Sequence, residues 1–187
     1  MITFIKNLKL VKKILFVTLF AHILITAISA FYLKDLFLVL QNVLSFIFYA
    51  IIEITTKKHE DEKRSIIILF LIMNGLLFQA TVSGIYLGWE AGFQNFCFVT
   101  IVASFLHYHE EDYKKEQLMK HLLTLGSILV YSFLLIWCNL KSPLRIMSHQ
   151  NLLVVSQTNA AIAVLLAIFI SSIFSKKLKA SMKILKH

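Results

Sequence analysis

Apolar residues run along this 187-residue chain in six blocks, with polar residues gathered in the gaps between them. The blocks are Ile14–Leu33, Leu36–Ile54, Ser65–Tyr86, Phe93–Tyr108, Leu118–Leu140 and Thr158–Ser175. A bilayer core about 30 Å thick is crossed by roughly 20 helical residues, so five blocks have full spanning length. The fourth is short and has a polar start. None alternates polar and apolar positions, which excludes barrel strands. A helix satisfies its backbone hydrogen bonds within one segment and is the spanning form that fits. The predicted fold is all-α: a polytopic membrane helix bundle of about six transmembrane helices. It forms a single integral membrane domain over 1–187, with a basic tail at 176–187.

Composition strengthens this reading. Hydrophobic residues make up 58% of the chain, charged residues only 16%, and mean hydropathy is +0.77. Soluble domains carry fewer apolar and more charged residues, and disordered chains are poorer still in apolar ones. The net charge of +9 would suit nucleic acid in a soluble protein. Here the lysines sit in short runs between apolar blocks, where they fit anionic lipid headgroups, and no nucleic-acid partner is expected. Cys97 and Cys138 lie inside apolar blocks and read as small core hydrophobes rather than a disulfide or a metal site.

The lysines also set the orientation. With the N-terminus inside, 16 of the 19 basic residues fall on the cytoplasmic face, and only Lys34, Lys141 and Arg145 fall outside. Positive charge is retained on the cytoplasmic side, which predicts a cell-membrane protein with both termini cytoplasmic. Tyr32, Tyr86, Trp89 and Trp137 would mark the outer interface. The first block, with its lysines and Ala27-Ile28-Ser29, also has the look of a signal peptide. Its length and the second block close behind it favour a retained span.

Polar residues inside spans are costly and point inward. Asn42, Ser45, Tyr49 and Glu53 share one face of the second span. Asn42 lies about 9 Å from its outer end, at 1.5 Å per residue. The third span carries Asn74, Gln79 and Ser83, the last two on one face and at a depth similar to Asn42. A polar pocket in the outer half of the bundle follows. The same pattern is equally met by hydrogen bonds that only hold helices together. Glu53, four residues before Lys57, fits a snorkelling ion pair. His22 reads as an imidazole bonded to a neighbouring helix rather than a titrating group.

Candidate chemistry is sparse. His107 and Glu111, in the run His107-Tyr108-His109-Glu110-Glu111-Asp112, stand one helical turn apart and have metal-ligand character, but a solvated helix end accounts for them. No phosphate-binding glycine loop, activated nucleophile or carboxylate pair is present. No enzyme activity, cofactor or metal is expected.

Between the third and fourth spans, Gly84, Gly88 and Gly92 recur at four-residue spacing. They frame Leu87-Gly88-Trp89-Glu90-Ala91-Gly92-Phe93-Gln94, a tight outer turn with an aromatic anchor. The segment, its place between the third and fourth spans, and the aromatic-rich fourth span resemble a known arrangement. It is the six-span N-terminal membrane sensor region of bacterial GGDEF-type diguanylate cyclases. The resemblance covers the layout of spans two to six, with a motif of about eight residues. It implies a sixth span continuing into a cytoplasmic signalling helix, and the tail Ser175–His187 fits, with Leu178, Met182 and Leu185 on one face. Two departures stand out. The sequence contains no GGDEF motif, so the output domain is absent. Relatives also carry a histidine nine residues before the Gly-Trp pair, where this chain has Gln79.

The expected function is a multi-pass sensory or signalling module without its own catalytic domain. Asn42, Gln79, Ser83, Trp89, Glu90 and Gln94 would line an outer-half site for a small-molecule ligand. Partners expected beyond the lipid bilayer are a second copy or a cyclase-type signalling protein. The alternative is a small transporter or channel-like protein, which needs a polar path through the whole bilayer.

Overall fold

The structure is a computed structural model that describes residues 2–58, 62–104 and 113–184, with side chains described within 11–55, 67–104 and 117–172. Helix α1 spans Ile2–Ala27 and continues as a wider π-helical stretch, Ile28–Leu33. Helices α2 (Leu36–Lys58) and α3 (Glu62–Leu87) follow. A 3-10 turn, Trp89–Ala91, leads to α4 (Asn95–Ser104), then α5 (Tyr113–Leu140) and α6 (His149–Ile184). No strand occurs among the described residues.

Five stretches are long and apolar enough to cross a membrane: Val11–Leu33, Leu36–Thr55, Ile67–Leu87, Gln117–Leu140 and His149–Ser172. The predicted fourth span, 93–108, is met by α4, whose 10 residues extend about 15 Å. Residues 105–112 lie outside the described ones, as does the predicted His107/Glu111 metal reading. Leu178 and Met182 fall on the α6 backbone with side chains outside the described ones, and Leu185 lies beyond it. The shell is apolar: Phe16, Phe20, Phe31, Phe78, Leu140 and Ile146 are all exposed. Large apolar side chains exposed in this number suit lipid chains rather than water.

Two helices begin before the apolar blocks they carry. Hydropathy places the start of the sixth span at Thr158, but its helix begins at His149. The polar residues Gln150, Asn151 and Gln157 mark a boundary by hydropathy, yet they form helix as readily as their apolar neighbours. Ser148 starts that helix, its Oγ accepting from Asn151 N–H at 3.3 Å. Likewise α3 starts at Glu62 rather than Ser65, because its first turn is polar.

α3 is the central element, packed against α1, α2, α4 and α5. In its spanning stretch 56% of residues are buried, against 17% in α5, which explains its dense polar inward face. α6 covers α1 and α4. The bundle has two distinguishable ends. The aromatic end carries Trp89 and Pro143, and the lysine end carries Lys57 and Lys58.

At the aromatic end a short reversal joins α1 to α2. Lys34 takes a left-handed conformation, φ 51°, and Asp35 N–H donates to Ser29 O at 3.1 Å. Asp35 then caps α2, its Oδ1 accepting from Leu38 N–H at 3.1 Å.

Candidate functional site

The buried polar residues gather into one chain of contacts across α1, α3 and α2. His22 Nδ1 lies 2.7 Å from Thr18 O, one turn back on its own helix. His22 Nε2 lies 2.7 Å from Gln79 Oε1 on α3. Gln79 Nε2 donates to Asn42 Oδ1 on α2 at 2.9 Å. Asn42 Nδ2 donates to Leu38 O at 2.7 Å. His22, Gln79 and Asn42 are 2%, 4% and 1% exposed, so each polar atom depends on these partners rather than on water. The Tyr49 ring sits 4.9 Å from the imidazole, and its hydroxyl donates to Ile72 O at 3.3 Å. The predicted inward face of α2 is therefore real: Asn42 and Tyr49 are buried, and Ser45 and Glu53 are half-buried.

One turn nearer the aromatic end, Gln41 Nε2 donates to Ser83 Oγ at 2.8 Å. At that end Tyr86 Oη donates to Asp35 Oδ2 at 3.1 Å, and Arg145 Nε stands 3.4 Å from the same oxygen. Arg145 N–H also donates to Tyr86 O at 2.8 Å. The cap of α2, the end of α3 and the loop before α6 are thus tied at one carboxylate.

The glycine-framed turn is held from both sides. Gly88 (φ 88°) and Gly92 (φ 79°) bracket Trp89–Ala91 in backbone conformations that a side chain resists. Gly84 acts through its small size instead. It lies inside α3 and leaves room for Leu134 of α5. Asn159 of α6, itself buried, donates from Nδ2 to Ala91 O at 2.8 Å. Trp89 packs edge-on to Tyr131 of α5 at 5.2 Å, Glu90 is exposed, and Gln94 is half-buried.

The six residues singled out from the sequence form two groups. Asn42 and Gln79 touch each other, with Ser83 one turn from Gln79. Trp89, Glu90 and Gln94 belong to the surface turn. A water-sized cleft between α1, α2 and α6 is lined by Ser29, Asn42, Phe93, Thr158 and Asn159 among others. Of the six, Asn42 alone reaches it.

Asn74 separates from its neighbours on α3. It is exposed, and its Nδ2 donates back to Phe70 O of its own helix at 2.8 Å. Sequence reasoning passes over three features of the site. It leaves the partner of His22 unassigned and singles out neither Asp35 nor Asn159. The available signals are a lone acid in a two-residue turn and an amide inside an apolar block. Among the described residues, no group of three or more His, Cys, Asp or Glu side chains is placed to hold a metal. No protein-family model, curated protein or solved structure matches the chain.

Proposed function

We propose that this chain is a multi-pass sensory module of the cell membrane, with both termini cytoplasmic and the Trp89 turn outside. Its likeness to the sensor region of GGDEF-type diguanylate cyclases, given above on Leu87–Gln94, points the same way. The observation that carries the reading is the path of α6. This helix runs without a break for 36 residues, from His149 to Ile184, and grips the turn through Asn159 near its start. At 1.5 Å per residue it is about 54 Å long, well beyond a bilayer core of about 30 Å. A displacement of the turn is therefore passed to the opposite side by one continuous rod.

A small molecule reaching the outer face would meet Trp89, Glu90 and Gln94 first. To act as a signal it must bind one position of α6 more tightly than another, because equal affinity shifts nothing. The cytoplasmic listener would be a cyclase-type protein, or a second copy of this chain.

The test joins residue 187 to a reporter cyclase. Asn159→Leu unfastens α6 from the turn and should shift basal output several-fold, with Trp89→Ala and Glu90→Ala shifting it in the same sense. Unchanged output from all three at normal protein levels would defeat the sensory reading. The transporter alternative draws on the line of polar groups from Asp35 through Gln41 and Gln79 to Thr18. Ion or solute flux through the purified protein in vesicles would favour it.

A further inference from the structure

The hydrogen-bond chain across α1, α3 and α2 begins and ends on backbone carbonyls, Thr18 O and Leu38 O. A carbonyl oxygen only accepts, so both ends demand a donor. Working inward from Leu38 fixes each amide in turn. Asn42 must present its NH2 to Leu38 O and hence its oxygen to Gln79. Gln79 must then present its NH2 to Asn42 and its oxygen to His22. Exchanging N and O in either amide puts two acceptors or two donors face to face. His22 Nε2, 2.7 Å from Gln79 Oε1, is therefore required to donate. His22 Nδ1, 2.7 Å from Thr18 O, is required to donate as well. Neutral imidazole carries one N–H and imidazolium carries two. Turning the ring over would set C–H groups at these oxygens, but 2.7 Å is far inside the roughly 3.3–3.6 Å of a C–H···O contact.

We propose that His22, Gln79 and Asn42 form a proton-binding site inside the bundle, whose fully bonded arrangement holds His22 as imidazolium. The proton is taken by the Nε2 lone pair and shared with Gln79 Oε1. Burying a cation is costly unless every N–H is bonded. The site supplies an oxygen for each of the two N–H groups and the Tyr49 ring beside them at 4.9 Å. Release of the proton leaves an Nε2 lone pair facing an amide oxygen at 2.7 Å, a repulsive contact that must open. That opening parts α1 from α3, while the Gln79–Asn42 bond keeps α3 on α2.

The neighbouring charges are few. On α2, Tyr49 faces the imidazole and Glu53 stands one turn further toward the lysine end. α3 presents Gln79 and no titratable side chain at this level. α6 carries no titratable residue between His149 and Lys176. On α1 itself Lys12 and Lys13 lie toward the lysine end, and Asp35 and Tyr86 lie at the other end. Proton occupancy is thus a balance between the cost of burial and the hydrogen bonds of this chain.

The experiment uses the full chain in lipid nanodiscs, labelled with ¹⁵N-histidine and titrated with acid and base. The His22 signals are assigned by their loss in His22→Gln. Both ring nitrogens should show imidazolium character at the acid end of the titration, and one should lose its proton as base is added. Spin labels at Phe20 and Phe78, both exposed, should move apart over the same range. Gln79→Leu, lacking the acceptor, should bind the proton about tenfold more weakly, a shift of about one pH unit. A single neutral tautomer of His22 throughout the range overturns the proposal, and this wild-type measurement stands even where the variant fails to fold. A midpoint unmoved by Gln79→Leu overturns the role of the chain. Neither readout involves a reporter, so the outcome is separate from that of the sensory reading.

Discussion

Replacing Gln79 by leucine removes the one side chain that touches both His22 and Asn42, at 2.7 and 2.9 Å. The leucine has a similar volume, so the backbone of α3 has no reason to move. What changes is the fate of two buried polar atoms, His22 Nε2 and Asn42 Oδ1. Interhelical side-chain bonds in membrane proteins average about 0.6 kcal/mol, so two of them set a lower figure of about 1 kcal/mol. A buried polar group left unsatisfied costs about 1–3 kcal/mol, so two orphans set an upper figure near 4 kcal/mol after some relaxation. Gln79→Leu should therefore destabilise the bundle by about 1–4 kcal/mol. The assay is reversible unfolding in bicelles, by steric trapping or mixed-detergent titration. Asn42→Leu also orphans Gln79 Nε2, so the two losses overlap. The double variant should be less damaged than the sum of the singles, by about 0.5–3 kcal/mol. Adding His22→Phe should recover part of the loss, since an all-apolar site of similar shape leaves nothing unsatisfied. Full additivity among the three, or a Gln79→Leu protein as stable as wild type, would refute the view that these side chains form one network.

Other outcomes follow from the same geometry. Asn74→Leu should be neutral within about 0.5 kcal/mol or stabilising in that assay, because its amide points outward and bonds only its own helix; a loss as large as that of Asn42→Leu would show that something covers this face. Asp35→Ala should cost about 1–2 kcal/mol through the lost cap of α2 alone, more once the Tyr86 bond is included. Arg145→Ala should cost under about 1 kcal/mol, since Arg145 is 53% exposed and its ion pair is solvent-screened; reversed magnitudes in the unfolding assay would exclude Asp35 as the tie point. In a protein lacking Cys97 and Cys138, Ser142→Cys should react with an impermeant maleimide on intact cells, and Lys58→Cys only after permeabilisation. The opposite pattern would invert the assigned orientation.

Much of the architecture was legible in the chain. Hydropathy marked where the long helices lie, and the 3.6-residue period put Asn42, Ser45, Tyr49 and Glu53 on an inward face of α2. Both follow from local rules, because burial in lipid and helical periodicity act on neighbours in sequence. Helix ends were less legible, since polarity reports where a membrane would stop and not where backbone bonding stops. His149, nine residues before the expected start at Thr158, shows the difference.

The sequence alone determined that this is an all-helical chain with an apolar shell and a few polar side chains that must find partners. It could not choose those partners. His22 and Gln79 lie 57 residues apart, and Asn159 meets Ala91 across 68. Asn74 and Gln79 are both amides on α3, and only the packing of α1 and α2 turned one inward and left the other outside. The proton count at His22 likewise emerges only once both carbonyl ends of the chain are in place. Composition and period act residue by residue along one helix, whereas hydrogen-bond pairing depends on how separate helices are brought together.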